Sequence, residues 1–237
     1  MSARVRAAVA LAAAVLVVAA PTARAGRPVT LASEDGTPLA GQLYEAASRP
    51  APGVVLIHML GRSRADFDGL AGDLQRAGLT ALALDLRGHG SSGGAATPSA
   101  AMVADVRAAI DWLAARPGVR PDALALVGAS LGANLALLAG AEHPAVRGMA
   151  LLSPSLDYRG IRLDPALMKK AGARAILLVA STEDPYALRT IRDLTAASPI
   201  ARQQWLSGAE AHGTRLLAAD PALGPELVDW ARRTLIF

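Results

Sequence analysis

One segment constrains the fold of this chain more than any other: Leu124-Ala125-Leu126-Val127-Gly128-Ala129-Ser130-Leu131-Gly132-Ala133-Asn134. Leu124–Val127 reads as a short buried strand, and Leu131–Ala141 as a helix that starts directly after the turn. The pattern between them is G-x-S-x-G. A strand that reverses straight into a helix brings two backbones close together, and Gly128 and Gly132 leave room for that approach. The tight, strained turn projects the Ser130 hydroxyl above the sheet. The Leu131 N–H then sits at the start of the new helix, where a developing negative charge is stabilised.

The rest of the chain fits around this unit. Strand-like runs alternate with helix-like runs, which implies a mostly parallel sheet with helices on both faces. Val29–Leu31 and Leu39–Tyr44 flank the turn signal Glu34-Asp35-Gly36-Thr37 and read as an opening antiparallel pair. Further strands are expected at Val54–Ile57, Thr80–Leu84, Met149–Leu152, Ala175–Ala180 and Arg202–Leu206. Helices are expected at Ala65–Ala77, Ser99–Ala115, Ala187–Ala197 and Pro225–Thr234. The total is eight strands. In open sheets of this kind, ligands sit beyond the carboxyl ends of the strands. The polar and glycine-rich segments fall there: His58–Gly61, Asp85–Gly94, Gly128–Gly132 and Glu183–Asp184.

A serine hydroxyl needs a base before it can act as a nucleophile. Four histidines are available: His58, His89, His143 and His212. Only His212 leaves room for an acid on a later strand end in the order Ser, acid, His. Asp184 follows the Ala175–Ala180 strand and is the expected acid, with Asp157 as the alternative. Asp184 also suits the role of helix cap before Ala187–Ala197. Neighbouring Glu183 would point elsewhere on an extended backbone. The second backbone donor is expected from His58-Met59-Leu60-Gly61, from Leu60 or else Met59. His58 is expected to bond the loop backbone. The Asp85–Ser92 stretch reads as scaffold, with Asp85 and Arg87 tying the loop to its neighbours.

These residues together resemble the α/β-hydrolase superfamily. The resemblance runs through Val54–Gly61, Thr80–Ser92, Leu124–Asn134, Ala175–Asp184 and His212. Within that superfamily the chain looks most similar to compact dienelactone-hydrolase-like proteins and serine esterases. Two departures matter. His58-Met59 replaces the usual His-Gly before the oxyanion loop. True dienelactone hydrolases use a cysteine nucleophile, and this chain has no cysteine, so their substrate does not transfer. The resemblance implies an α/β-hydrolase fold and a Ser130–Asp184–His212 triad. Leu60 and Leu131 N–H groups would form the oxyanion hole. The expected reaction is cleavage of a small carboxylic ester by acyl transfer to water, without cofactor or metal, with a thioester as an alternative substrate. An acyltransferase, a peptidase, a perhydrolase or a catalytically idle binding protein of the same fold are the competing readings.

Composition narrows partners and location. Arg4 and Arg6 precede an uncharged run from Ala7 to Ala20, and Ala23-Arg24-Ala25 follows. This is the layout of a secretory signal peptide spanning residues 1–25, with the hydrolase domain at 26–237. The mature protein is expected to be secreted or periplasmic, with no stable membrane span after cleavage. Losing those three arginines lowers the formal net charge from +4 to +1, which gives no support for nucleic acid as a partner. Aromatic residues are 3% of the chain, too few for an extended stacking surface.

Length adds a last expectation. Residues 153–174, between two strands, form a short connection where many relatives insert a lid. An open site is expected, bounded by Tyr158, Ile161 and Leu163.

Overall fold

In the computed structural model, residues 25–97 and 99–236 are described. The leader expected over residues 1–25 therefore lies almost wholly outside the described residues. Ten strands form. They are β1 (Arg27–Ala32), β2 (Pro38–Tyr44), β3 (Ala51–Ile57), β4 (Thr80–Leu84), β5 (Val119–Ala129), β6 (Val146–Leu152), β7 (Asp157–Tyr158), β8 (Ile161–Arg162), β9 (Ala175–Ser181) and β10 (Gln203–Ser207). Eight of them make one sheet in the order β1-β2-β4-β3-β5-β6-β9-β10. β1 and β2 are antiparallel, and β2 is antiparallel to β4. All other pairs in the sheet are parallel. Among the described residues no helix is long and apolar enough to cross a membrane.

The central strands are buried along nearly their whole length, which is why they read as continuous apolar runs rather than alternating ones. Alternate side chains still divide between two cores. Val55, Ile57, Leu82 and Leu84 face one core, shared with α2 (Ala101–Ala114), α3 (Leu131–Gly140), α4 (Leu167–Ala171) and α5 (Pro185–Ala197). Val54, Leu56, Ala81 and Ala83 face the other, shared with α1 (Asp68–Arg76), α6 (Leu216–Ala219) and α7 (Leu223–Leu235).

Two of the strand starts that differ from the sequence reading lie around prolines. β3 begins at Ala51, so Pro52 lies inside a central strand. It is tolerated because the register with β5 shifts between Ala51 and Gly53, where no ladder bond is owed. β5 likewise starts at Val119 and carries Pro121 through the same irregular stretch. A second difference lies in 153–174. β7 and β8 form a two-stranded hairpin of their own, too short to give any periodic signal.

The fold explains where chemistry gathers. Since β3 to β6, β9 and β10 run parallel, their carboxyl ends lie on one side. Ile57, Leu84, Ala129, Leu152, Ser181 and Ser207 close those strands, and the loops that follow meet there.

Candidate active site

Ser130 sits at the junction of β5 and α3 with φ 51° and ψ −114°, a conformation L-residues rarely adopt. It is held there by its backbone. Ser130 N–H donates to Leu152 O (2.8 Å), and Ser130 O accepts from Ala133 and Asn134 N–H (2.9 and 3.2 Å). The flanking glycines have a steric reason. A Cβ on Gly128 would lie 2.1 Å from Gly132 O, and one on Gly132 would lie 2.2 Å from Ile57 O. Ser130 is 4% exposed. The N-terminus of α3 begins at its Cα, so the positive end of that helix faces the hydroxyl's surroundings.

The expected partners come together. Ser130 Oγ lies 2.9 Å from His212 Nε2, and His212 Nδ1 lies 2.6 Å from Asp184 Oδ2. The Asp184 side chain is mostly buried and His212 is half-exposed. Asp184 Oδ1 accepts from Ala187 N–H (3.0 Å) and so caps α5. The two roles foreseen for this aspartate therefore coexist in one carboxylate. The alternative acid, Asp157, is engaged elsewhere: it holds Arg162 Nε (2.7 Å) and Gly160 N–H (2.8 Å) in the β7–β8 hairpin. Glu183 is exposed.

Several residues that the sequence did not single out hold this constellation. The Ser181 hydroxyl donates to Ala209 O (2.6 Å) and accepts from Glu183 N–H (3.0 Å). It thereby links the loop bearing Asp184 to the loop bearing His212. Ser153, buried and at φ 49°, accepts from Gly213 N–H (3.0 Å). The Thr214 hydroxyl donates to Asp66, whose carboxylate also receives the Arg62 guanidinium. Gly213 has φ 60°, and a Cβ there would sit 2.8 Å from Met59 Sδ. The bonds from Ser181 to Ala209, from Gly213 to Ser153 and from Thr214 to Asp66 have no signature in spacing or composition, because each joins loops from different strands.

The loop after β3 is bolted from below. His58 Nδ1 donates to Met59 O (2.7 Å), and its Nε2 accepts from Leu86 N–H (3.0 Å). Burial pushes the His58 imidazole down to about 4, against the opposing effect of the Met59 carbonyl. His89 acts in the same way, with Nδ1 to Arg87 O (2.9 Å) and Nε2 accepting from Gly61 N–H (3.1 Å). Gly61 N–H is thus committed, which leaves Leu60 and Met59 as the backbone donors this loop has to offer beside Ser130. The scaffold reading of Asp85–Ser92 fits the geometry. Asp85 receives Arg64 N–H (2.8 Å), Ser91 N–H (2.9 Å) and the Arg64 guanidinium. Arg87 is bidentate to buried Asp105 (2.6 Å on both arms).

The expected pocket walls need correction. Ile161 and Leu163 are 6% and 3% exposed and belong to the core above α3. Tyr158 packs against the same core. The Asn134 side chain fixes this segment, donating to Ser155 O (2.7 Å) and Ile161 O (3.0 Å). Among the described residues, Arg159 at the hairpin tip lines an open cavity. Apolar side chains in a short connection over a core are pulled inward, and the charged turn residue is left outside.

Comparison with known proteins agrees with this fold. A family model described as serine aminopeptidase, S33, matches residues 48–201. That span contains Ser130 and Asp184 and stops short of His212. Two uncharacterised proteins are similar in sequence. Rv2307c of Mycobacterium tuberculosis is 29% identical over 191 residues, which is 73% of this chain and 67% of that protein. YfhR of Salmonella typhimurium is 31% identical over 157 residues, 60% of this chain and only 53% of its own length. Among solved structures, the Pyrococcus furiosus esterase Pf2001 superposes with a TM-score of 0.72 at 18% identity, covering 89% of this chain and 91% of that one. A dienelactone hydrolase from Anabaena variabilis gives 0.74 at 20% identity, covering 91% and 100%. XC6422 from Xanthomonas campestris, described as an α/β serine hydrolase without lid, gives 0.69 at 20% identity, covering 90% and 96%. At these identities the structural matches establish the fold.

Proposed function

Because the chain belongs to the serine aminopeptidase S33 family of α/β hydrolases, we propose that it is a serine hydrolase that cleaves a small carboxylic ester. The observation that carries this reading is the unbroken relay from Ser130 Oγ to His212 (2.9 Å) to Asp184 (2.6 Å). In the proposed reaction, His212 Nε2 takes the Ser130 proton as Oγ attacks the ester carbonyl. Leu131 and Leu60 N–H groups hold the oxyanion. His212 then protonates the leaving alcohol, and a water molecule repeats the sequence on the acyl-enzyme. Asp184 fixes the imidazole tautomer and favours its cationic form. The esterase description of the Pyrococcus structure supports an ester over an amide.

The family's description favours a second reading, hydrolysis of an aminoacyl amide by the same triad. The two are separated by comparing para-nitrophenyl butyrate with aminoacyl para-nitroanilides on the 26–237 protein. Ester turnover that vanishes in Ser130→Ala supports the first reading. Turnover of the anilides alone supports the second. The proposed export of the 26–237 chain is tested by the intact mass of the protein recovered outside the cytoplasm, which should begin at Gly26.

A further inference from the structure

A cavity of about 420 Å³ adjoins the loop after β3 and is lined by Leu60, Gly61, His89, Ala96, Thr97 and Arg159. It shares Leu60 with the proposed oxyanion hole. The wall formed by Ala96 and Thr97 is set by Gly88, where a Cβ would lie 2.2 Å from Ala96 N. The lining is mainly apolar. Both His89 nitrogens are already hydrogen-bonded to backbone groups. Among the described residues that line the cavity, the one that carries a permanent charge is Arg159.

Arg159 has no intramolecular partner among the described residues, and the reason is visible. The hairpin's own acid, Asp157, is filled by Arg162 Nε and by Gly160 N–H. Arg159 also occupies an expensive backbone position. It and Gly160 have φ values of 49° and 88° at the tip between β7 and β8. Two consecutive positive φ values mark the kind of hairpin turn where Asn, Asp or Gly is favoured at the first position. An arginine here is an outlier of the kind that accompanies a functional role. Its guanidinium offers a planar fork of donors suited to a carboxylate, and the Thr97 hydroxyl lies on the same cavity wall.

We propose that Arg159 forms a subsite for a carboxylate carried by the substrate, so that this enzyme prefers esters bearing a negative charge close to the scissile bond. The proposal rests on the serine-hydrolase reading for its reaction, and it adds a substrate class. The charge can sit on the acyl side, as in a half-ester of a dicarboxylic acid, or on the alcohol side.

The test compares kcat/KM for three esters. They are para-nitrophenyl butyrate, para-nitrophenyl hemiglutarate (charged acyl group) and the butyrate ester of para-hydroxybenzoate (charged leaving group). The wild type is expected to favour one charged ester over the neutral one, and the arm that wins identifies the side. In Arg159→Gln the charged-to-neutral ratio should fall by about tenfold or more, with partial recovery in Arg159→Lys. Arg147→Gln, which removes an equal charge from an exposed site, should leave the ratio as in the wild type. A wild type with no preference for either charged ester overturns the proposal, as does a preference that survives in Arg159→Gln. If none of the three esters is turned over, the hydrolase reading fails separately. The subsite is then read by calorimetric binding of monomethyl glutarate to Ser130→Ala and to Ser130→Ala/Arg159→Gln. Weaker binding in the double variant supports the subsite, and equal binding overturns it.

Discussion

Ser153 Oγ accepts a hydrogen bond from the Gly213 N–H at 3.0 Å, which pins the residue after His212 to the end of the central strand β6. Gly213 is buried, so losing the acceptor leaves a buried donor unpaired. Ser153→Ala should therefore lower stability by about 1–3 kcal/mol. His212 would also be held less firmly, and the rate of phosphonylation at Ser130 should fall by roughly tenfold. Thermal unfolding and labelling kinetics check the two effects independently. A loss of stability with an unchanged labelling rate would reduce Ser153 to a packing role.

Asp184 allows its two functions to be separated. Asp184→Asn keeps a good helix cap but removes the charge beside His212. Ester turnover should drop by about 10⁴, as for the equivalent change in serine proteases, with little change in Tm. Asp184→Ala should lose both, including about 1 kcal/mol of stability from α5. Turnover and thermal melts on the two variants decide it, and equal Tm losses in both would contradict the division.

Gly132→Ala should be among the most damaging single substitutions. The new Cβ would meet the Ile57 and His58 carbonyl oxygens, at 2.2 and 2.7 Å, and neither is the end of a flexible side chain. A destabilisation of roughly 2–4 kcal/mol is expected, read as a shift in urea midpoint with an unchanged slope.

His58 predicts a pH dependence. Its folded value is pushed down to about 4 by burial, while the unfolded chain titrates near the ordinary 6.5. The unfolded state therefore binds more protons between these values. Stability from the neutral His58 is fully present above about pH 6.5 and is lost as pH falls towards 4. The amount is on the order of 3 kcal/mol. Urea unfolding at a series of pH values should show this slope in the wild type and a flatter one in His58→Gln. Parallel slopes would remove His58 from the account.

Much of the fold was legible because buried parallel strands leave apolar runs. The central strands β3, β4, β6 and β9 and the apolar end of β5 were visible for that reason, the turn signal at Glu34–Thr37 marked the antiparallel pair β1 and β2, and the elbow glycines marked the turn into α3. Ser130, Asp184 and His212 were legible because strand order fixes where such groups can meet. The supports were not. Ser153, Ser181, Thr214 and Asn134 act through hydrogen bonds to segments distant in sequence. Arg159 was missed because the apolar neighbours Tyr158, Ile161 and Leu163 looked like a pocket wall, while the inward pull of the core decided otherwise. Pro52 and Pro121 concealed strand starts that only a local register shift permits.

The central claim is that Ser130 is an activated nucleophile. Incubation of the 26–237 protein with a fluorophosphonate, followed by peptide mass spectrometry, tests it most directly, with Ser130→Ala and His212→Ala alongside. The account predicts a single adduct on Ser130 that is absent from Ser130→Ala and strongly reduced in His212→Ala. A folded wild-type sample that does not label, or one that labels equally in His212→Ala, would contradict it.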